Sequence, residues 1–321
     1  MKKNHVLALA GVCLVVILVA GAFVSAGATS PGMVQPATVL SPHFSEVDSV
    51  VATPISALAT APDIAAYDGL GSWLDIFEKA YQHPAPTVSA MQDRGVVTIY
   101  VETSNYSRPD IQYPTKLGQV IDEAHAAGMK VVGWYLPSFV NLKKDLRKSR
   151  AALEFTSPLG DHLDSFGLDI ESGIVQNAKL RTERLLKLSD DIRTLAGPSY
   201  PLGAITPIPN RLVERHTYWP HFPYRKLSHI YDVFVPMNYF SFDVSGETAA
   251  RKYTAKGIRL IRTGTGNPDE PIHEIGGIAS AMSAAETRGF LDAVHAGHAV
   301  GASLYNFTET GDANWNVMQG L

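Results

Sequence analysis

Residues 164–171 read Asp-Ser-Phe-Gly-Leu-Asp-Ile-Glu, and the alternation of small or polar residues with apolar ones predicts a buried β-strand. Successive side chains of a strand point to opposite faces, so Asp169 and Glu171 share one face. The apolar Leu168 and Ile170 take the other face, which is expected to lie under helices. The two acids are therefore expected together at the carboxyl end of the strand, on its wetter side.

Strand and helix patterns alternate along the chain from residue 68 onward. The candidate strands are Ser72 to Phe77, Val96 to Thr103, Lys130 to Pro137, Ser165 to Ser172, Pro201 to Pro207, Asp232 to Tyr239, Ile272 to Ile278 and Val300 to Phe307. The candidate helices include Thr115 to Ala127, Leu142 to Phe155, Arg181 to Leu195, Thr248 to Arg262 and one that opens with a capping box at Ser283.

Eight alternating units in about 250 residues predict parallel strands joined by right-handed crossovers, the size and order of a (β/α)8 TIM barrel. We place this α/β barrel at residues 63–321. A doubly wound open sheet is the alternative fold, but no glycine-rich phosphate turn follows the first strand.

The N-terminal segment carries Lys2 and Lys3 before an uncharged apolar run, and no charge appears before Glu46. This pattern predicts a signal peptide or a membrane anchor at residues 1–28, with residues 6–28 as the possible tether. Residues 29–62 are rich in Ala, Pro, Ser, Thr and Val and predict a flexible linker. A signal peptide and a membrane anchor both predict an extracytoplasmic protein, either secreted or anchored to the outer face of the cytoplasmic membrane.

Composition excludes several classes of function. The 321-residue chain has a formal net charge of -4, which gives no basic footprint for nucleic acid. No zinc-binding motif and no Gly-x-Ser-x-Gly elbow is present, so we expect neither a zinc enzyme nor a serine hydrolase, and no cofactor. The only cysteine, Cys13, lies in the apolar run, so the exported part has no internal disulfide.

Polar and aromatic residues gather at the carboxyl ends of the predicted strands, which form a single mouth in a TIM barrel. Flat aromatic rings with polar edges suit partly wet, sugar-binding surfaces. The candidate substrate-binding residues are Asp75, Glu102, Trp134, Tyr135, Met237, Asn238 and Tyr305, together with Trp219 in the loop before the sixth strand.

Residues 164–171 resemble the fourth-strand signature Asp-x-x-Asp-x-Asp-x-Glu of the chitinase-like family 18 glycoside hydrolases. Met237-Asn238-Tyr239 is similar to that family's Met-x-Tyr, and the eighth strand ends in Tyr305 where the family usually has Trp. The resemblance implies that Glu171 is the general acid, that Asp169 orients the substrate's acetamido group, and that Tyr239 hydrogen-bonds its carbonyl. The chain also resembles exported bacterial proteins regarded as glycoside hydrolases of unassigned substrate.

Gly167 stands where the family has its middle Asp, which leaves other mechanisms open. Asp75 or Glu102 could act as nucleophile or base, and the separation of the carboxyls would then decide between retention and inversion.

The leading hypothesis is an exported glycoside hydrolase of a cell-envelope or environmental polysaccharide, including one that contains N-acetylhexosamine. The alternatives are a catalytically silent carbohydrate-binding barrel, a hydrolase with a hard cation at Asp169, Glu171 and Glu102, and a purely structural acid pair neutralised by basic residues.

Overall fold

Eight parallel strands form the centre of the protein in the computed structural model, which describes residues 62–215 and 217–321. They are β1 (Gly69–Leu74), β2 (Thr98–Asn105), β3 (Lys130–Leu136), β4 (Ser165–Asp169), β5 (Leu202–Thr206), β6 (Val233–Pro236), β7 (His273–Ile278) and β8 (Gly301–Tyr305). Their order is β6-β5-β4-β3-β2-β1-β8-β7. Parallel bridges from Phe234 to Ile272 and from Met237 to Ile275 join β6 to β7. The sheet is a nearly closed barrel, which confirms the predicted (β/α)8 fold and excludes the open sheet.

Helices connect the strands on the outside of the barrel. They are α1 (Pro84–Asp93), α2 (Pro114–Ala126), α3 (Leu142–Leu153), α4 (Ala178–Ala196), α5 (Pro209–Glu214), α6 (Tyr224–Leu227), α7 (Glu247–Thr265), α8 (Ala284–Ala296) and α9 (Asp312–Met318). The predicted helices correspond to α2, α3, α4, α7 and α8, and Ser283 caps α8 in a complete capping box. Two short helices separated by a loop, α5 and α6, take the place of one long helix between β5 and β6.

The two faces of β4 divide as the alternation predicts. Phe166, Leu168 and Ile170 are buried in the core between the barrel and its helices. On the opposite face, the Ser165 hydroxyl lies 2.6 Å from that of Tyr67, whose ring belongs to the core inside the barrel. The barrel interior is therefore packed with side chains, and only its carboxyl end can hold a ligand.

The first strand lies earlier than predicted, at Gly69–Leu74 instead of Ser72 to Phe77. The chain leaves the sheet after Leu74 because Asp75 forms a local turn, in which its Oδ1 accepts a hydrogen bond of 2.8 Å from the Phe77 N–H. This correction puts Asp75 just beyond the strand, at the mouth.

Charged side chains of α3 hold two of the mouth loops. Asp145 is fully buried and accepts hydrogen bonds of 2.7 Å from the Tyr135 hydroxyl and 3.0 Å from the Phe139 N–H. Lys148 is also buried, and its Nζ donates to the Pro109 carbonyl at 2.7 Å. Because the Phe139 N–H and the Pro109 carbonyl are backbone groups, these bonds hold the loops after β2 and β3 in place.

The predicted signal or anchor at residues 1–28 and nearly all of the predicted linker at residues 29–62 lie outside the described residues. Within the described ranges, none of the helices has the length and hydropathy needed to cross a membrane.

Candidate active site

The acid pair lies at the carboxyl end of β4. Asp169 is the last residue of the strand, and its side chain points into the barrel and is 6% exposed. Glu171 follows in the turn and is partly exposed. The strand ends here because the next residues form a turn toward α4, so the carboxyl of Glu171 is nearer the rim than that of Asp169.

Neither carboxyl has a basic partner. No ion pair within 4.0 Å involves Asp169 or Glu171 in the described part of the chain, and Asp169 Oδ1 has no hydrogen-bond partner there. Burial raises the pKa of Glu171 to about 7. Burial, and then the charges of Glu171 and Glu102, raise the pKa of Asp169 well above its usual range. The pair therefore holds protons more tightly than two isolated carboxyls would.

Tyr239 lies beside the pair, just after β6. Its pKa is raised by burial and then by the charges of Glu171 and Asp169, so the three groups share one environment. Its ring centre is 6.3 Å from that of Tyr305. Met237 points to the same side, in the core inside the barrel, because it is two residues before Tyr239.

A second group of carboxylates lies at the ends of β1 and β2. Asp75 Oδ2 accepts hydrogen bonds from the Tyr305 hydroxyl at 2.8 Å and from Asn306 Nδ2 at 3.1 Å. Three donors, counting the Phe77 N–H, thus hold Asp75 in place. Glu78, which the sequence analysis missed, accepts a hydrogen bond of 2.9 Å from the Asp75 N–H, and burial raises its pKa to about 7.

Glu102 connects the two acid groups. It is 2% exposed, and its oxygens accept hydrogen bonds of 3.1 Å from the Ile76 N–H and 3.2 Å from Asn105 Nδ2. Burial raises the pKa of Glu102 to about 7, and the charge of Asp75 adds to the effect. Its own charge in turn reaches Asp169. The mouth is therefore an acidic surface in which several carboxyls compete for protons.

Aromatic side chains fill the barrel below these acids. Trp134 faces the interior, 6% exposed, and its indole Nε1 has no hydrogen-bond partner among the described residues. Trp73 of β1, which the sequence analysis did not single out, stacks on Tyr100 with ring centres 4.4 Å apart and lies 5.9 Å from Trp134. The Asp169 side chain lies one layer closer to the mouth than these aromatic rings.

Three predicted substrate-binding residues do not reach the mouth. Tyr135 is fully buried and its hydroxyl binds Asp145 outside the barrel, because it alternates with the inward-facing Trp134. Trp219 is also fully buried, and its Nε1 donates to the Thr182 hydroxyl at 2.9 Å. A sugar ring cannot contact either side chain in this structure.

Asn238 is the third of these residues. It is fully buried between β7 and α7, where its Nδ2 donates to Glu274 Oε2 at 3.1 Å. A Cβ at Gly257 of α7 would lie 2.3 Å from Asn238 Nδ2, so glycine is required for this close approach. Asn238 therefore anchors the chain next to Tyr239 through its buried hydrogen bond to Glu274, and it does not face the mouth.

Glu274→Gln is expected to stabilise the protein at alkaline pH. Burial raises the pKa of Glu274 from 4.5 to about 8, so its contribution to stability is complete below pH 4.5 and is lost as pH rises through 8. Glutamine cannot ionise and keeps an oxygen for Asn238. We expect its free energy of unfolding in urea to exceed that of the wild type by at least about 1 kcal/mol at pH 9, because one pKa unit corresponds to about 1.4 kcal/mol. An equal difference at pH 5 and pH 9 would contradict this assignment.

Gly167 shows why the middle acid of the family signature is missing. A Cβ at this position would lie 2.9 Å from Ile205 Cδ1 and 3.7 Å from Trp134 Cβ. Both neighbours belong to the apolar core inside the barrel. The layer below Asp169 is therefore closed by apolar side chains, and Glu102 is the carboxylate that lies nearby in its place.

No group of three or more His, Cys, Asp or Glu side chains has metal-binding geometry within residues 62–215 and 217–321. The acids of the mouth are spread over several strand ends, and most of their oxygens already accept hydrogen bonds from backbone or amide groups.

Solved structures share this fold at low sequence identity. An endo-β-1,4-mannanase from Thermotoga petrophila is 12% identical over 79% of this chain and 76% of its own, with a TM-score of 0.59. The spore cortex-lytic enzyme from Bacillus cereus is 8% identical over 78% and 73%, with a TM-score of 0.58. A GH18 chitinase from Cycas revoluta, in complex with (GlcNAc)4, is 10% identical over 78% and 98%, with a TM-score of 0.58.

No protein-family model matches the chain. No curated protein sequence matches it either. The chain shares its fold with glycoside hydrolases. The resemblance to family 18 chitinases is thus confirmed at the level of the fold, and at these identities the comparisons carry no further assignment.

Proposed function

We propose that the protein is a glycoside hydrolase that cleaves a polysaccharide, with Glu171 as general acid and Asp169 as the assisting carboxylate. The observation that carries this proposal is the acid pair at the barrel mouth, which has no basic partner in the part of the chain that the structure describes and lies beside Tyr239. A purely structural pair would be expected to be neutralised by Arg or Lys.

Glu171 has the properties of an acid that works near neutral pH. Its pKa of about 7 keeps a large fraction of the carboxyl protonated, while the proton remains easy to transfer. In the proposed reaction, Glu171 donates this proton to the glycosidic oxygen as the bond to the anomeric carbon breaks. Its position at the rim, above Asp169, leaves it the more accessible of the two acids.

Asp169 and Tyr239 are proposed to hold the substrate. The unpartnered Oδ1 of Asp169 can accept a hydrogen bond from an acetamido N–H, and the Tyr239 hydroxyl can donate to the acetamido carbonyl. This arrangement supports a substrate that contains N-acetylhexosamine, in which the acetamido oxygen attacks the anomeric carbon. The chitinase of this fold that binds (GlcNAc)4 supports the same class.

A cell-envelope or environmental polysaccharide is the proposed source of this substrate. The N-terminal apolar run supports export, with residues 6–28 either removed as a signal or retained as a membrane tether. The same fold occurs in a spore cortex-lytic enzyme and in a mannanase, so both envelope and plant-type glycans belong in the test.

A catalytically silent carbohydrate-binding barrel is the second candidate. The observation that favours it is that Ile205 packs against Gly167, at the position where the family 18 signature has an aspartate. Such a barrel would bind glycans through the same mouth without cleaving them.

Incubation with a panel of polymers distinguishes the two candidates. The full chain is incubated with chitooligosaccharides, peptidoglycan and mannan, and new reducing ends are measured together with binding. Release of reducing ends supports the hydrolase. Binding without any release over long incubation supports the silent barrel and contradicts the hydrolase.

A further inference from the structure

Tyr218 lies directly against the proposed general acid. It belongs to the loop between α5 and α6, and its side chain is 37% exposed at the mouth. Its hydroxyl donates a hydrogen bond to the main-chain carbonyl of Glu171. The charges of Glu171 and Asp169 raise the pKa of Tyr218 in addition to burial, which places the phenol near both carboxyls. The loop after β5 therefore closes over the end of β4.

Arg181 of α4 holds this loop from below. It is 3% exposed, and its guanidinium lies 5.4 Å from the centre of the Tyr218 ring and 4.0 Å from that of Trp219. Its Nη2 donates to the Tyr218 carbonyl, and its Nη1 donates to the Val175 carbonyl at 3.4 Å. One buried side chain thus ties the loop after β4 to the loop that carries Tyr218.

Arg181 does not neutralise a carboxylate. It forms no ion pair within 4.0 Å among the described residues, and its contacts are carbonyls and aromatic faces. A buried cation of this kind is costly unless its hydrogen bonds are used. Its role in the fold is to fix the two loops relative to each other.

We infer that Tyr218, held by Arg181, is a positioning residue that shields the Glu171 carboxyl from water and fixes its main chain. This inference rests on the proposed function of Glu171 as general acid, and it assigns to the loop between α5 and α6 a part in the chemistry.

The surroundings of Glu171 set the expected effect. The titratable groups near it are Asp169 on β4, Tyr239 after β6 and Tyr218 itself, and the buried Arg181 of α4 lies behind Tyr218. Burial is the cause of the raised pKa of Glu171. Removal of the Tyr218 ring admits water, which stabilises the carboxylate and lowers the pKa of Glu171.

Two variants separate the ring from the hydroxyl. Tyr218→Ala removes the shield, so the pKa of Glu171 is expected to fall by about 0.5 to 1 unit. Tyr218→Phe keeps the ring and removes only the hydrogen bond to the Glu171 carbonyl, so the pKa is expected to stay within about 0.2 unit while kcat falls more than KM rises.

The test is a carboxyl-carbon NMR titration of the full chain labelled at glutamate, with the Glu171 signal assigned from its loss in Glu171→Gln. Phe77→Ala is the matched control, because this rim aromatic is 55% exposed and follows β1 instead of β4 or β5. Its Glu171 titration should equal that of the wild type. Near-ultraviolet circular dichroism checks that each variant is folded.

A lower Glu171 midpoint in Tyr218→Ala, with the alkaline limb of kcat/KM shifted to lower pH by the same amount, supports the inference. An unchanged midpoint in a folded Tyr218→Ala, or a shift as large in Phe77→Ala, overturns it. The NMR midpoint needs no turnover, whereas the polysaccharide panel decides the proposed function, so failure of one is distinguishable from failure of the other.

Discussion

Glu171→Gln is expected to lower kcat by about 10²- to 10⁴-fold on whichever polysaccharide the wild type cleaves, because this is the usual contribution of a positioned general acid. Glutamine has nearly the same shape but no transferable proton. Burial raises the pKa of Glu171 to about 7, so the wild-type rate should also fall above neutral pH as this proton is lost. The measurement is initial rates of reducing-end release between pH 4 and pH 9.

Glu154→Gln is the matched control. Glu154 lies just beyond α3 and, among the described residues, pairs only with Arg150 in an exposed contact of 2.9 Å, so its loss should leave kcat unchanged. Glu171→Gln should keep its folding and its affinity for oligosaccharides, since the amide retains the size of the carboxyl. A folded Glu171→Gln variant with wild-type kcat would refute the assignment of the general acid.

Gly167→Asp is expected to lower the free energy of unfolding by about 2 to 6 kcal/mol, which combines overpacking with burial of a carboxyl in a mainly apolar layer. The substitution restores the acid of the family signature, but its Cβ alone would lie 2.9 Å from Ile205 Cδ1. Ile205 and Trp134 both belong to the core inside the barrel, so the new carboxyl is buried among mainly apolar side chains. Urea unfolding at pH 7 measures the loss.

Gly311→Asp provides the control for introducing an aspartate in place of a glycine. Gly311 is the N-cap of α9 and a Cβ there meets no atom within 4 Å, so aspartate should be neutral or slightly stabilising. Ile205→Ala should recover part of the stability of Gly167→Asp, because it removes the contacting methyl group. Stability equal to wild type in Gly167→Asp would show that the layer below Asp169 is not closed as described.

The barrel could be predicted because it depends on local, repeated patterns. All eight predicted strands overlap the observed ones, and the placement of Asp169 and Glu171 on one face of β4 follows from simple alternation. The first strand was placed too late because Asp75 and Phe77 continue the pattern. Only their side-chain hydrogen bonds show that the chain has already turned.

The candidate site was harder to predict because adjacent strand residues face opposite ways. Tyr135 and Asn238 are next to the inward-facing Trp134 and Met237, so strict alternation would have excluded one member of each pair. The burial of Trp219 under its own loop depends on long-range contacts that sequence patterns do not show.

The missed residues have the same cause. Glu78 is held at the mouth by Thr308, far away in the chain, as well as by Asp75, and Tyr218 reaches the mouth through its contact with Glu171. Trp73 lay inside the predicted first strand, and only its contacts with Tyr100 and Trp134 show that it belongs to the aromatic cluster inside the barrel. In each case the residue type was suited to the site, but the contact that places the residue there joins distant parts of the chain.

A crystal structure of the Glu171→Gln variant soaked with (GlcNAc)4 tests the central claim most directly. We predict a sugar in the mouth with its acetamido group against Asp169 and Tyr239, and with its glycosidic oxygen within hydrogen-bond distance of the residue 171 side chain. A sugar bound elsewhere on the protein, with Asp169 and residue 171 untouched, would contradict the account.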